Sequence, residues 1–254
     1  MLLIAFVGWE ARTSEPMLPL GFFRIRAFSA ANVVSLLMYF GMFGSIFLLA
    51  QFFQVVQGYS PFQAGLRTLP WTAMPVVVAP IAGLLADRIG ARPLLVTGMA
   101  LQASALAWLA AIVTPTVAYS ALVVPFIMAG VGMGLFFAPI ANVALSAVRP
   151  QEEGKASGAT NTIREVGGVF GVAVLAAVFS ANGSYSAPAA YVAGLQPAIA
   201  VGAVFVGLGA LAAIFIPARA GARSASIAID LPADGTRVGD PAYAYAELDG
   251  GQGR

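Results

Sequence analysis

The chain has 254 residues, of which 59% are hydrophobic and 9% are charged, and its mean hydropathy is +0.86. A soluble domain carries about 25% charged residues, so this composition excludes a soluble protein and predicts an all-α integral membrane protein. The net charge of +2, spread over the turns, gives no basis for a nucleic-acid partner, and the absence of cysteine and histidine excludes disulfides, thiolate chemistry and histidine metal sites.

The N-terminal part of the chain reads as the end of one helix and a connector. Residues 1–8 are apolar but too short to cross a bilayer, which takes about 20 apolar residues. We interpret them as the end of a preceding transmembrane helix, and hence the chain as a fragment, a truncated gene or a gene with a misplaced start codon. Residues 9–27 contain Pro16, Pro19 and phenylalanines beside arginines, which is typical of a connector at the membrane interface.

Apolar stretches predict a six-helix transmembrane domain over residues 28–216. They run over about 28–54, 69–86, 94–113, 117–148, 156–180 and 197–216. Residues 58–68 and 181–196 read as loops, and Pro75 and Pro80 predict kinks in the second span. Residues 217–254 are charged and poor in large apolar groups, which predicts a disordered tail.

The first span carries a polar stripe. Asn32, Ser35 and Tyr39 recur at spacings of three and four, so they share one helix face. Two interpretations remain open, since such a stripe can form hydrogen bonds between helices or face a central cavity.

A charged turn separates the second and third spans. It reads GLLADRIGARPL and places Asp87, Arg88 and Arg92 between two uncharged runs. We expect Asp87 to lie just before the third helix, where exposed N–H groups stabilise a carboxylate. Gly83 and Gly90 permit close helix approach and a sharp turn.

This turn and two further stretches carry a family resemblance. The pattern formed by Gly83, Leu85, Asp87, Arg88, Gly90, Arg92 and Leu95 resembles the loop signature of the major facilitator superfamily of secondary transporters. With residues 60–71 and 134–174, it resembles the 14-helix drug:proton antiporter branch, in its C-terminal part only. The resemblance implies a half-bundle of six helices, a conformational role for the Asp87 turn and a broad apolar export pocket.

Small residues in two spans predict close helix packing. Gly130, Gly134 and Ala138 stand four apart in the fourth span, and Gly167 and Gly171 stand four apart in the fifth. This spacing lets two membrane helices approach closely, and we favour packing over substrate contact.

The fifth span is unusual because it carries polar and charged residues within an apolar helix: Asn161, Arg164 and Glu165. A charge near the bilayer centre costs at least about 2.5–3.5 kcal/mol, so such residues usually face a bundle interior or a wet cavity. In one interpretation Glu165 responds to protons or cations, while Arg164 and Asn161 set the polarity of the cavity. In the other, a neighbouring helix satisfies each of them, or the span starts later and both charges lie near the interface.

The basic turns and the tail alternate onto one side, and the positive-inside rule places that side in the cytoplasm of a bacterial inner membrane. We find no catalytic set, phosphate-binding loop, cofactor site or metal site, and therefore predict no enzyme. The favoured function is the C-terminal half of a proton-coupled exporter of small amphipathic compounds, with a missing N-terminal half or a second copy as partner. The alternative is a non-transporting remnant or membrane scaffold.

Overall fold

The computed structural model describes residues 19–217, and within that range it contains helices and turns but no β-strand. A short 3-10 helix, Leu20–Arg24, comes first. The α-helices are α1 Arg26–Gln51, which continues into a π-helical turn at Phe52–Val56, α2 Pro61–Thr72, α3 Met74–Ile89, α4 Ala91–Ile112, α5 Tyr119–Ser146, α6 Glu153–Asn182 and α7 Pro188–Ala213. The predictions for residues 1–8 and for the tail from residue 218 lie outside the described residues.

These helices supply six candidate membrane spans in the described part of the chain. Helices α2 and α3 together form one of them, because only Ala73 interrupts the helix between Pro61 and Ile89. The predicted all-α integral membrane fold, with six spans in this region, is confirmed.

Two predicted loops are wrong, because local signals start a helix inside each of them. Helix α2 begins at Pro61, since the Ser60 side chain accepts a hydrogen bond from the Gln63 N–H while the Gln63 side chain accepts one from the Ser60 N–H. Helix α7 begins at Pro188, a residue suited to the first turn of a helix, so Pro197 lies inside α7 rather than at its start.

The charged turn is also shorter than predicted. Helix α3 continues through Asp87 and Arg88 to Ile89, and α4 begins at Ala91, so Gly90 alone separates them. Gly90 has φ 86°, a conformation that side chains with a Cβ rarely adopt. Asp87 therefore lies in the last turn of α3 and not at the start of α4, which corrects its expected position.

Close contacts between glycines and facing backbone show how the spans pack. In the pair α1–α6, Gly167 faces Leu36 and Gly171 faces Phe40, so the two helices run in the same direction. In the pair α3–α5, Gly134 faces Val78, and the residue numbers of the contacts on either side increase together along both helices. These two helices therefore also run in the same direction. The first span thus pairs with the fifth as the fourth pairs with the second.

The remaining contacts complete this exchange. Helix α4 packs antiparallel on α5 where Gly98 meets Gly132, and α7 packs antiparallel on α1 where Gly202 meets Gly41. Helices α4 and α7 also pack on each other. Each of these contacts has a counterpart when spans one, two and three are exchanged with spans four, five and six. Two inverted three-helix repeats are expected to show this symmetry. The sequence alone shows no such repeat.

Candidate substrate and coupling site

One cluster of aromatic rings and a guanidinium lies where α1, α5 and α6 meet. We call it the Tyr39 cluster and define it by Tyr39, Phe43, Phe136, Phe137 and Arg164. The Tyr39 ring stacks on Phe43 with centroids 5.6 Å apart, and it lies 6.4 Å from each of the two α5 rings. The guanidinium carbon of Arg164 is 5.7 Å from the Tyr39 centroid, within the range of a cation–π interaction.

The close approach of α6 to α1 at Gly167 brings Arg164 to this position. A Cβ added to Gly167 would lie 2.6 Å from the Leu36 carbonyl oxygen, so only glycine permits this approach to α1. A Cβ added to Gly168 would lie 3.4 Å from the Phe43 ring, which is an ordinary contact distance. The predicted small residues of the fifth span thus lie against the α1 backbone, and the side chains beside them reach the rings of α1.

Arg164 carries a charge with no acidic partner among residues 19–217. Its side chain is half-buried, its Nε is buried without a hydrogen-bond partner, and no ion pair forms with the adjacent Glu165. The Tyr39 ring compensates part of the desolvation, since a cation–π contact is worth about 0.5–2 kcal/mol. The N–H groups of the guanidinium are left available for an acceptor.

Asn161 and Glu165 lie on the exposed side of α6. At about 100° per residue, Glu165 is turned about 60° from Gly168, which packs on Phe43, and about 100° from Arg164, so it lies to one side of the face that contacts α1. The face that Asn161 shares with Arg164 and Gly168 turns from exposed to buried along its length.

The polar stripe of the first span divides in the structure. Asn32 is 3% exposed and its Nδ2 donates to the Phe28 carbonyl of its own helix at 2.9 Å, while its Oδ1 has no partner among the described residues. The Ser35 hydroxyl is likewise buried and unpartnered. Of the three stripe residues, Tyr39 alone belongs to the aromatic cluster.

The residues of the loop signature lie in a different helix pair, at the junction of α3 and α4. Asp87 and Arg88 are exposed and Arg92 is half-buried, and Asp87 has no hydrogen bond or ion pair within the described range. Its carboxylate sits at the C-terminal end of α3, where the helix dipole disfavours a negative charge. Arg88, in the same last turn, carries the charge that suits this end of the helix.

The small residues of α5 face the span that carries this signature. A Cβ on Gly134 would lie 2.5 Å from Val78 Cβ, and one on Gly130 would lie 2.6 Å from Met74 Cβ. A Cβ added to Gly83 would lie 3.6 Å from the methyl group of Ala138. Close packing along this seam fixes the height of the Asp87 turn relative to α5.

Sequence reasoning missed a second arginine–aromatic site, which we call the Arg67 clamp: Tyr59, Arg67 and Tyr119. The Arg67 guanidinium carbon lies 3.5 Å from the Tyr59 centroid and 5.4 Å from the Tyr119 centroid. The Tyr119 hydroxyl donates to the Arg67 carbonyl at 3.2 Å. The clamp joins α2 to the start of α5. The one signal in the sequence was that Arg67 breaks the positive-inside pattern.

The paired spanning helices, packed closely at glycines, form the architecture of a multi-pass membrane protein. Comparison with known proteins identifies the family. Residues 7–172 match the Major Facilitator Superfamily, and the chain belongs to that family of small-molecule transporters.

Curated relatives are named as multidrug transporters. The chain is 35% identical over 176 residues to the multidrug resistance protein Stp of Mycobacterium tuberculosis, covering 69% of this chain and 32% of the relative. It is 33% identical over 183 residues to the multidrug transporter protein MdtP of Bacillus subtilis, covering 71% and 33%. It is 30% identical over 168 residues to the multidrug export protein EmrB of Escherichia coli, covering 66% and 33%. The matched region thus spans about a third of the length of these relatives.

Proposed function

We propose that the chain is the C-terminal half of a proton-coupled secondary transporter that exports small amphipathic compounds by alternating access. It acts as a transporter rather than an enzyme, in a bacterial inner membrane, with its basic turns and tail in the cytoplasm. The observation that supports the proposal is the Tyr39 cluster, where rings from two helices meet a guanidinium from a third that has no acidic partner among residues 19–217, and the exposed Glu165 follows that arginine in sequence. Rings bind the apolar part of a substrate, and charged groups orient its polar part.

The exposed helix faces support a missing partner. In the most apolar stretch of each span, 17% of residues are buried in Pro61–Ile89 and 28% in Pro150–Asn182, against 56% in Arg26–Val56. These two spans are equivalent in the inverted repeats. Their uncovered rows include Val76 at 76% and Val169 at 68% exposure. Since the relatives are about three times as long as the matched region, we assign one part of these rows to the absent half and the rest to lipid.

Glu165 is the proposed coupling residue. Helix α6 has 30 residues and is therefore about 45 Å long, which exceeds the hydrocarbon core of about 30 Å. Glu165 lies within about 4 Å of the midpoint of α6. Because the chain has no histidine, a carboxylate at this depth is the group suited to exchange protons during transport.

The test compares the chain alone with the chain joined to its missing half. The DNA upstream of Met1 is first read for an in-frame extension that encodes further spans. Dye efflux is then measured in cells without other exporters, expressing either residues 1–254 or the extended protein. We expect efflux from the extended protein only, because this half lacks the opposite wall of the cavity. Efflux by residues 1–254 would contradict the half-transporter and indicate a dimer, and an upstream promoter without an extension would favour a remnant or scaffold.

A further inference from the structure

We propose that the Tyr39 cluster selects aromatic compounds that carry an anionic group, such as a carboxylate or phenolate. In this inference, which rests on the proposed function, Arg164 binds the anionic group while Tyr39 and Phe43 stack on the ring. It goes beyond the general class of amphipathic substrates by assigning the sign of the charge.

The charge inventory around Arg164 supports an anion. Within residues 19–217 the other acids are Asp87, Glu152 and Glu153, all at helix ends, and Glu165 forms no ion pair with Arg164. The Arg164 Nε is buried and unpartnered. A desolvated N–H donor without an acceptor is unfavourable, and a planar anion is the acceptor that a guanidinium fits best, through paired hydrogen bonds.

The Arg164 guanidinium has fewer aromatic contacts than the guanidinium of the Arg67 clamp. The Arg67 guanidinium lies 3.5 Å from one tyrosine ring and has a second ring at 5.4 Å. Arg164 has a single ring at 5.7 Å. Both arginines have a buried Nε without a partner among the described residues, and Arg164 is the one with the fewer and more distant aromatic contacts.

The rings beside Arg164 offer a stacking surface of the right kind. Phe43 is 42% exposed and stacks on Tyr39 at an interplanar angle of 25°, so the two rings present nearly parallel faces. Phe136, in contrast, is fully buried and serves as packing. In the proposed complex, an aromatic ligand stacks on the exposed part of Phe43 and its anionic group binds Arg164, which lies over the neighbouring Tyr39 ring.

Glu165 provides a test of the inference, because a site dominated by this carboxylate would prefer a cationic ligand. The exposed carboxylate of Glu165, next to Arg164 in sequence, repels an anion and attracts a cation. If Arg164 decides selectivity, then removing the Glu165 charge strengthens anion binding. If Glu165 decides it, the same change weakens cation binding.

The experiment uses the full chain in zwitterionic nanodiscs, with empty nanodiscs to subtract lipid partitioning. Isothermal titration compares three probes of the same ring system: naphthoate, naphthamide and a naphthyl trimethylammonium salt. We expect naphthoate to bind at least about tenfold more tightly than naphthamide, equivalent to about 1.4 kcal/mol. Arg164→Gln should remove that difference, Arg164→Lys should keep part of it, and Glu165→Gln should tighten naphthoate binding.

Arg67→Gln is the matched control, since it removes the same charge from the other arginine–aromatic site and should leave the probe preference unchanged. Thermal melting of each variant above the assay temperature establishes that it is folded. Equal binding of all three probes, or a preference for the cation that Glu165→Gln removes, would overturn the anion selectivity while leaving amphipath binding intact. Binding of no probe would overturn both the selectivity and a substrate site in this half.

Discussion

Replacing Gly171 by alanine tests the close packing on which the candidate site depends. An added Cβ would lie 2.7 Å from both Cα and the carbonyl carbon of Phe40, and real Cβ atoms essentially never come that close. The neighbour is backbone in the middle of α1, so it cannot rotate away as a side chain would. The substitution therefore forces α6 away from α1.

The matched control is Gly158→Ala in the same helix, where an added Cβ meets nothing within 4 Å. Both substitutions gain helix propensity, about 1 kcal/mol relative to glycine, so the difference between them isolates the steric effect. Overpacking a core costs about 1–3 kcal/mol, and contact with rigid backbone places Gly171→Ala near the upper end.

The assay is thermal unfolding of the detergent-solubilised chain, followed by circular dichroism. A domain of this size shifts by about 2–4 °C per kcal/mol, so the two variants should melt about 6–12 °C apart, with Gly158→Ala the more stable. A melting temperature of Gly171→Ala equal to that of Gly158→Ala would refute the α1–α6 approach described above, and with it the position of Arg164 over Tyr39.

Four further predictions follow from the same structure. A cysteine at Gln151 should be labelled only after the membrane is opened and one at Asn182 in intact cells, because the basic turns are proposed to be cytoplasmic; labelling of both from outside would contradict that orientation. Asp87→Asn should impair efflux by the extended protein, because the turn is expected to have a conformational role. It should not lower the melting temperature of the chain, because it removes a charge that the α3 dipole disfavours; normal efflux would reduce Asp87 to a topology marker. Glu165→Gln should abolish efflux or move its pH optimum at unchanged abundance, whereas an unaltered pH profile would show that Glu165 is not the coupling residue. Arg67→Ala should lower the melting temperature by about 2–8 °C through loss of the cation–π contacts, and Arg67→Lys by less; equal melting of wild type and Arg67→Ala would show that the clamp contributes no stability.

Local sequence signals determined the fold class and the number of spans in the described region. The length of an apolar run decides whether a segment can cross a bilayer, and neighbouring residues contain that information. The start of α2 was equally local, because Ser60 and Gln63 form a capping box that can be recognised without a structure. The loop predicted over residues 58–68 is wrong because this capping box was not taken into account.

The partners of the two arginines were decided only by the tertiary structure. Tyr119 lies 52 residues from Arg67 in sequence, and Tyr39 is even further from Arg164, so no local pattern connects either pair. The same holds for the seam between α1 and α6, since the spacing of Gly167 and Gly171 indicates close approach but not which helix approaches. Periodicity fixes the face on which a residue lies, and only the packing of the whole bundle fixes what lies opposite that face.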